Sequence, residues 1–449
     1  MTSVLLIYPF FKSRHDRSIF RFPPLGLGYL ASSLRKSGFD VGLLDCTFLN
    51  KDEALKMATD VKADAVGIYS MVTMREQSLM FARVLRESCD LLIAGGPLPS
   101  CDPVSFLSDF DVAVVGEGER TICEILLAHE EGSDLGSIKG IAYRQDGRDS
   151  FTPKRELEPD LDRIAFPARD LFPNQAYIDH WKKRFGYAIT TVMTTRGCPF
   201  CCEFCSNAVF GESYRERSPE NVLDEVEEAL SFGYDRIHFA DDVFTLNRER
   251  MLRLCDEISS RRLNFKWECL GRADSIDRET AKAMKMAGCD RIFFGIESGN
   301  DSILRLMNKK ITAEKARHAV EAAGSAGLRT GAFFILGYPG ETDDTLLDTI
   351  RFATSLPVDY LSFTMPYPLP GTALCERVKG QVKGEWTANK SLVSDHSLTF
   401  EGDFSEAKIK FAILKGQLQF MVRRRWGKHS SIVLKPFEDL TDKIFRLIK

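Results

Sequence analysis

TTRGCPFCCEFCSN, residues 194–207, places four cysteines within eight positions. Cys198, Cys202 and Cys205 read as Cys-x3-Cys-x2-Cys, directly after an apolar run, YAITTVMTTRG (187–197), that reads as a strand. Thiolates are soft ligands that suit iron–sulfur clusters. Three close cysteines hold three irons of a [4Fe–4S] cluster and leave the fourth open to a chelating ligand. A structural zinc site closes with four protein ligands, often as two CxxC pairs far apart, and no second pair stands elsewhere in this chain. Taking Cys201 in place of Cys202 reverses the spacing, so spacing alone leaves both choices open. The other cysteines are scattered singly, Cys255 and Cys289 among them. They read as small buried apolar residues and not as a disulfide framework.

Outward from this loop the chain alternates strands and helices. Toward the N-terminus, strands at 4–10, 41–45, 65–70, 91–97 and 111–119 are separated by helices at 25–38, 52–61 and 75–88, with a last helix at 120–129. This rhythm predicts a doubly wound parallel sheet whose ligands bind outside the carboxyl ends of its strands. Residues 146–185 read as a linker with a small hairpin, GIAYRQDGRDSFTPK, whose turn is Asp146-Gly147. Toward the C-terminus, strands at 236–242, 264–274, 291–298, 329–337 and 360–368 alternate with helices at 219–232, 247–260, 277–287, 312–326 and 342–355. With the strand at 187–197 these make six strand–helix units, a partial (β/α)6 barrel with its site at the strand C-terminal ends. From about 376 the rhythm stops; 405–425 reads as helix with a basic run, Arg423–Arg425. The α/β chain thus divides into 1–145, linker 146–185, barrel 186–375 and a small, mostly helical closing region 376–449.

Across 449 residues, 28% are charged and the net charge is −4, so nothing draws the chain in bulk toward nucleic acid. No apolar run approaches the roughly 18–20 residues a membrane-spanning helix needs. MTSVLLIYPF, the opening, lacks a basic n-region and a cleavage site and reads as a strand and not a signal peptide; a cytoplasmic location is expected.

The cysteine loop resembles that of the radical S-adenosylmethionine (SAM) superfamily, and the resemblance extends over residues 187 to about 372. It favours Cys202 over Cys201 as ligand and implies that Phe204 lies near the SAM adenine. HFADDVFT (238–245) stands where that superfamily carries Gly-Gly-Glu; Asp241 and Asp242 would meet the SAM ammonium, although a strand-end aspartate also serves as a helix N-cap. ECLGRAD (268–274) offers Glu268 and Arg272 to ribose and carboxylate. GIESG (295–299) offers Glu297 and Ser298, and FILGYPGET (334–342) brings the backbone at Gly337 to the adenine. SAM is zwitterionic, so acidic and basic neighbours are both required.

FPPLGLGYLASSLRKSGFDVGLLD (22–45), AGGPLPS (94–100) and VGEGE (115–119) resemble cobalamin-binding domains of the same superfamily. Contacts implied are Leu25 and Gly26, Asp45 and Thr47, the loop Tyr69, Ser70, Met71 and Thr73, then Gly95, Gly96 and Pro97 against the nucleotide tail, with Glu117 and Gly118 capping its far end. One departure matters. Where histidine-ligating relatives carry Asp-x-His-x-x-Gly, this chain has Asp45-Cys46-Thr47-Phe48-Leu49-Asn50. The lower cobalt face is expected to lack a histidine, with Tyr69 or Met71 nearest.

The resemblance implies a cobalamin-dependent radical SAM C-methyltransferase with a [4Fe–4S] cluster, SAM and cobalamin (methylcobalamin). A methyl from SAM passes through methylcobalamin to an unactivated carbon of a peptide, protein or small molecule. The compact tail is similar to that of the glutamine C-methyltransferases acting on methyl-coenzyme M reductase. Tyr367, Pro368 and Pro370 would line the substrate site. An electron donor of flavodoxin or ferredoxin type, no nucleic acid, no membrane span and a monomeric state are expected. A polar methyl transfer, a cobalamin-dependent cyclase or ring-rearranging enzyme, and a non-catalytic cobalamin or redox sensor stand as alternatives. A methylthiotransferase would need a second cysteine triad, which the sequence lacks.

Overall fold

The computed structural model describes residues 2–10, 21–145, 147–383, 397–426 and 430–448. They form two compact units. One takes the described residues up to Pro199 together with Ser206–Arg236; the other takes Phe200–Cys205, 237–383 and the described residues from 397 onward.

In the first unit, strands β1 (Ser3–Tyr8), β2 (Asp40–Asp45), β3 (Ala65–Tyr69), β4 (Leu91–Gly95) and β5 (Val112–Val114) are parallel. β6 (Ile141–Gln145) and β7 (Arg148–Phe151) add an antiparallel edge, giving the order β2-β1-β3-β4-β5-β6-β7. Side chains alternate between faces along a strand, and here both faces are apolar. Leu5, Ile7, Val66, Ile68 and Leu92 pack on Ala54, Leu79, Phe81 and Leu85. Val4, Leu6, Ala65, Ile93 and Val114 pack on Leu27, Ala31, Leu34, Ile122 and Leu126. This is the doubly wound sheet the sequence predicts, covered by helices on both sides.

The hairpin joins this sheet as its edge, because β6 pairs with β5 as well as with β7. Of its predicted turn, Asp146 lies outside the described residues, and Gly147 has φ +74°, the left-handed region a tight turn needs. The linker helix Asn174–Phe185, β8 (Ile189–Val192), the short antiparallel pair β9 (Thr195–Arg196) and β10 (Arg215–Glu216), and helix Pro219–Ser231 also belong to this unit. A buried ionic knot explains part of that grouping. Glu225, wholly buried on that last helix, accepts hydrogen bonds from Arg169 of the linker and from Arg217. Burying three charges is tolerable only when each is paired.

In the second unit the strands run in the order β15 (Tyr360–Thr364), β14 (Arg329–Ile335), β13 (Cys289–Glu297), β12 (Lys266–Gly271), β11 (Arg236–Phe239), and the pairings of β12 to β15 are parallel. A helix follows each of the first four in chain order. Their starts are fixed locally: Asn247, Asp277, Thr312 and Thr342 each accept a backbone N–H of the first turn through the side chain. Asp241 and Asp242 are therefore not caps. The closing region is two helices, Glu406–Trp426 and Ser430–Leu447. Its basic run is partly spent inside the unit, since Arg423 pairs with Glu438 and Arg424 donates to the Asp359 carbonyl. Among the described residues no helix is long and apolar enough to cross a membrane.

Candidate functional site

A cavity of about 250 Å³ opens at the carboxyl ends of β1, β3, β4 and β5 in the first unit. Of the residues the sequence offers to cobalamin, Gly26, Tyr69, Gly95, Gly96, Pro97, Glu117 and Gly118 line it. Leu25, Asp45, Thr47, Ser70, Met71 and Thr73 are absent from its wall. Among the described residues no lining residue is a histidine.

Gly96 has φ +112°, and a Cβ there would stand 2.7 Å from the Ser70 carbonyl oxygen and 3.0 Å from the Tyr69 ring. Its neighbour Gly95 has nothing within 4 Å of where a Cβ would sit, so it leaves open room for a bulky ligand. Ser70 is wholly buried. Its N–H donates to the Gly95 carbonyl at 2.7 Å, while its Oγ has no partner among the described residues. A glycine-walled, mainly apolar cavity fits a large ligand with extensive apolar surface. Burial pushes the Tyr69 phenol up to about 12, so at neutral pH it is a neutral ring and not a phenolate.

Asp45 and Thr47 instead form a closed knot. Thr47 Oγ1 donates to Asp45 Oδ1 at 2.6 Å, and the Tyr177 hydroxyl from the linker helix donates to Asp45 Oδ2 at 2.6 Å. Burial raises the Asp45 carboxyl and these bonds oppose it. Glu117 is also committed: it accepts from Arg196 at 2.8 Å, from Arg215 and from the Glu158 N–H at 3.1 Å. Arg196 lies between the rings of Tyr29 and Phe210, at 5.2 and 5.0 Å, and bonds Glu119 as well. Glu117, expected to cap the tail's far end, belongs to a buried ion-pair network in the cavity wall. Its arginines went unnoticed in the sequence because their partners lie about eighty to a hundred residues away in the chain.

The cysteine loop is shaped by glycine and by backbone bonds. Gly197 has φ +83°, and a Cβ there would collide with the Ser213 carbonyl oxygen at 2.2 Å. Cys198 is buried, Cys202 half-buried, and Cys201 and Cys205 exposed; none is in a disulfide. Within the second unit the segment Phe200–Cys205 is pinned from several sides. Asn308 donates to the Cys201 carbonyl at 2.7 Å, and the Leu374 N–H to the Glu203 carbonyl at 2.8 Å. Tyr338 and Arg377 both donate to the Glu203 carboxylate at 2.9 Å. The Arg272 guanidinium covers the Phe200 ring at 3.5 Å and the Lys309 ammonium faces the Phe204 ring at 5.7 Å. Burial raises the Cys202 thiol, while Lys309 and Arg272 pull it back. Among the described residues no three His, Cys, Asp or Glu side chains converge on a single-ion site. A [4Fe–4S] cube holds its thiolates farther apart than one ion does, and an open loop of soft donors beside two cations suits it chemically.

At the strand ends of the second unit the expected residues are gathered, and most are paired. Asp241 is buried. Glu268 lies 3.2 Å from His238 Nδ1, and Arg272 forms a two-pronged bond to Asp274 at 2.8 and 2.9 Å. Glu297 has φ +75°, unusual for a side chain with a Cβ, and its Oε1 accepts from Lys309 Nζ at 3.0 Å. Ser298 Oγ is buried 2.9 Å from Thr349 Oγ1, which gives it a packing role between β13 and helix Asp343–Ser355. Gly337 has φ +86° and donates to Glu341 at 2.7 Å, with Ile409 packed where its Cβ would be. Tyr367 is half-buried after β15. Lys309 and Glu341 are the residues here that sequence reasoning missed.

Comparison with known proteins agrees with this arrangement. A model of the radical SAM superfamily matches residues 192–353, and one of the B12 binding domain matches residues 18–126. An uncharacterized methyltransferase of Pyrococcus horikoshii is 35% identical over 363 residues, 79% of this chain and 78% of that protein. The chain belongs to the cobalamin-dependent radical SAM methyltransferase family. It is an enzyme whose cofactors are a [4Fe–4S] cluster, SAM and cobalamin. The anaerobic magnesium-protoporphyrin IX monomethyl ester cyclase of Rubrivivax gelatinosus is 28% identical over 400 residues, 85% of this chain and 70% of that protein. The cobalamin- and cluster-bound methyltransferase TsrM of Kitasatospora setae shares the fold, with a TM-score of 0.73 at 21% identity over 85% of this chain and 78% of that one.

Proposed function

We propose that this enzyme methylates an unactivated carbon, using a methyl group that originates on SAM and passes by way of cobalamin. The substrate class is a peptide or protein residue, with a glutamine such as that of methyl-coenzyme M reductase as a specific candidate, or a small molecule. When bound, the cluster and SAM supply hydrogen abstraction, and cobalamin supplies methyl carriage. Cys198, Cys202 and Cys205 are assigned to the cluster. Asp241, Glu268, Arg272 and Glu297 are assigned to the polar groups of SAM, and the Gly95-Gly96 and Gly118 walls to cobalamin.

One observation supports the reading: a glycine-walled cavity among whose described lining residues none is a histidine. A site that offers cobalt no strong lower ligand favours release of a methyl group. Tyr69 contributes a neutral ring and excludes water there. Flavodoxin- or ferredoxin-type reduction, a cytoplasmic location and a monomeric state complete the proposal.

The test is an anaerobic assay of reconstituted enzyme with methyl-deuterated SAM, a reductant and a peptide library or cell extract, read by mass spectrometry. A product carrying the labelled methyl, together with S-adenosylhomocysteine and 5′-deoxyadenosine, is the expected result. S-adenosylhomocysteine and labelled product without deoxyadenosine would move the reading to polar transfer. Deoxyadenosine and an unlabelled, altered product would favour a cyclase, the reading that the 28% identical Rubrivivax enzyme supports.

A further inference from the structure

The two closing helices are built the wrong way round for a chain satisfied by its own folding. Across 406–449 the sequence carries eleven Lys and Arg against four Asp and Glu, although the whole chain is at −4. Charge turns inward. Lys415, Gln419 and Arg423 recur at i, i+4 and i+8 on one face of helix Glu406–Trp426. Lys415 and Gln419 are buried and Arg423 is half-buried. Lys415 meets Asp442 at 2.8 Å and Arg423 meets Glu438 at 3.1 Å, so helix Ser430–Leu447 packs antiparallel through its charges. Helix Asp343–Ser355 holds that second helix as well, Arg351 bonding Asp442 and Asp344 bonding Arg446.

Apolar side chains turn outward. Leu414, Leu418 and Met421 on the first helix, and Leu440, Ile444 and Leu447 on the second, are 36–81% exposed. Both triplets have the i, i+4, i+7 spacing of a helix face that is ordinarily buried. Single exposed leucines are normal on a protein surface, but six such residues on two paired helices form a patch that marks a contact. Cations border it. Arg425, one turn beyond Met421, and Lys443, just before Ile444, are exposed, and Trp426 is half exposed at the end of the first stripe.

That border selects the occupant. A second copy would bring cations against cations, which opposes association. The complement is an apolar layer beneath an anionic surface, which a bilayer containing acidic lipid offers. A helix with an apolar face and Lys or Arg along its flanks lies in such an interface, its apolar side among the acyl chains. A tryptophan ring sits at the headgroup level. Fluid lipid also takes in side chains projecting from two helices without a groove cut to fit them.

We propose that helices Glu406–Trp426 and Ser430–Leu447 form a peripheral docking surface for an anionic lipid bilayer. The six apolar side chains enter the acyl layer, and Arg425 and Lys443 meet lipid phosphates. The attachment is to one leaflet, since neither helix is long and apolar enough to cross. It is independent of the reaction proposed above.

The test is flotation of the full chain, loaded with cluster and cobalamin, on vesicles. These are phosphatidylcholine alone or phosphatidylcholine mixed with phosphatidylglycerol. The wild-type enzyme floats with the mixed vesicles and far less with the neutral ones. Arg425→Gln with Lys443→Gln lowers partition to the mixed vesicles about tenfold or more, each cation accounting for about fivefold. Leu440→Ser with Leu447→Ser lowers partition to both kinds about tenfold or more. Iron, cobalamin and SAM cleavage in solution stay at wild-type levels in both variants, which separates docking from folding. Should the leucine variant lose cofactor, Leu447→Ser alone, at the most exposed position, is read in its place. Loss of cofactor there too assigns the stripe to the fold, against the proposal. Wild-type enzyme that floats with neither kind of vesicle, or equally with both, overturns it, as does flotation that both variants keep. A dimer by light scattering that Leu440→Ser with Leu447→Ser turns to monomer overturns it in favour of a second copy. A monomer that does not float overturns it in favour of an acidic protein.

Discussion

The cavity of the first unit is lined mainly by glycine, aliphatic and aromatic groups, with the Glu117–Arg196 ion pair in its wall. Strand ends of the second unit are crowded with charges that already have partners: Glu297 with Lys309, Arg272 with Asp274, Glu268 with His238. The first is preshaped and gains mostly by burying apolar surface. Charges in the second satisfy one another and must be re-paired by a ligand. A large ligand with extensive apolar surface suits one; a small zwitterion suits the other.

Removing the cluster ligands is the strongest way to separate the two. Cys202→Ser with Cys205→Ser is expected to abolish reductive SAM cleavage and the iron–sulfur visible spectrum. Cobalamin binding should stay within about twofold of wild type, because neither cysteine belongs to the first unit. Loss of cobalamin along with the cluster would show that the two sites do not act separately.

A smaller effect is expected in the opposite direction. Gly96→Val forces a β-branched residue into φ +112° and against the Ser70 carbonyl and Tyr69 ring. Strain of about 1–3 kcal/mol predicts cobalamin binding weakened about five- to a hundredfold, with SAM affinity unchanged. Equilibrium dialysis with cobalamin measures it; unaltered affinity would mean that Gly96 does not shape the cobalamin site.

The smallest effect concerns Glu341, fully buried beneath the Gly337 turn, whose carboxyl burial pushes up to about 8 despite two backbone hydrogen bonds. An acid raised above its unfolded value keeps a proton in the fold that the unfolded chain has released. Stability therefore falls as pH rises from about 4.5 toward about 8. Glu341→Gln should flatten that slope in urea unfolding measured across this range and leave neutral-pH cobalamin binding unchanged. An unaltered slope would mean that the carboxylate is ionised in the fold.

Much of the architecture was legible because it is written locally. Short apolar runs with helical stretches between them give the alternating strand–helix class, and the helix starts are fixed by neighbouring residues such as Asn247, Asp277, Thr312 and Thr342. The hairpin was misplaced into the linker. Its pairing with β5 depends on a strand some thirty residues earlier, and no short-range pattern carries that. Thr47 was readable as the replacement of a histidine, but not its use: Tyr177, 130 residues away, closes the knot.

Cysteine spacing and the glycines at 95–96, 197 and 337 are fixed by sequence alone. Chelation and close backbone approach depend on a few consecutive residues, so chemistry and reach are set by covalent neighbours. Tertiary structure alone decided which charges meet. Glu117 was joined to Arg196 and Arg215. Glu297 was joined to Lys309 across a loop and a helix. Electrostatic pairing depends on distance and desolvation, and both exist only once the chain has folded.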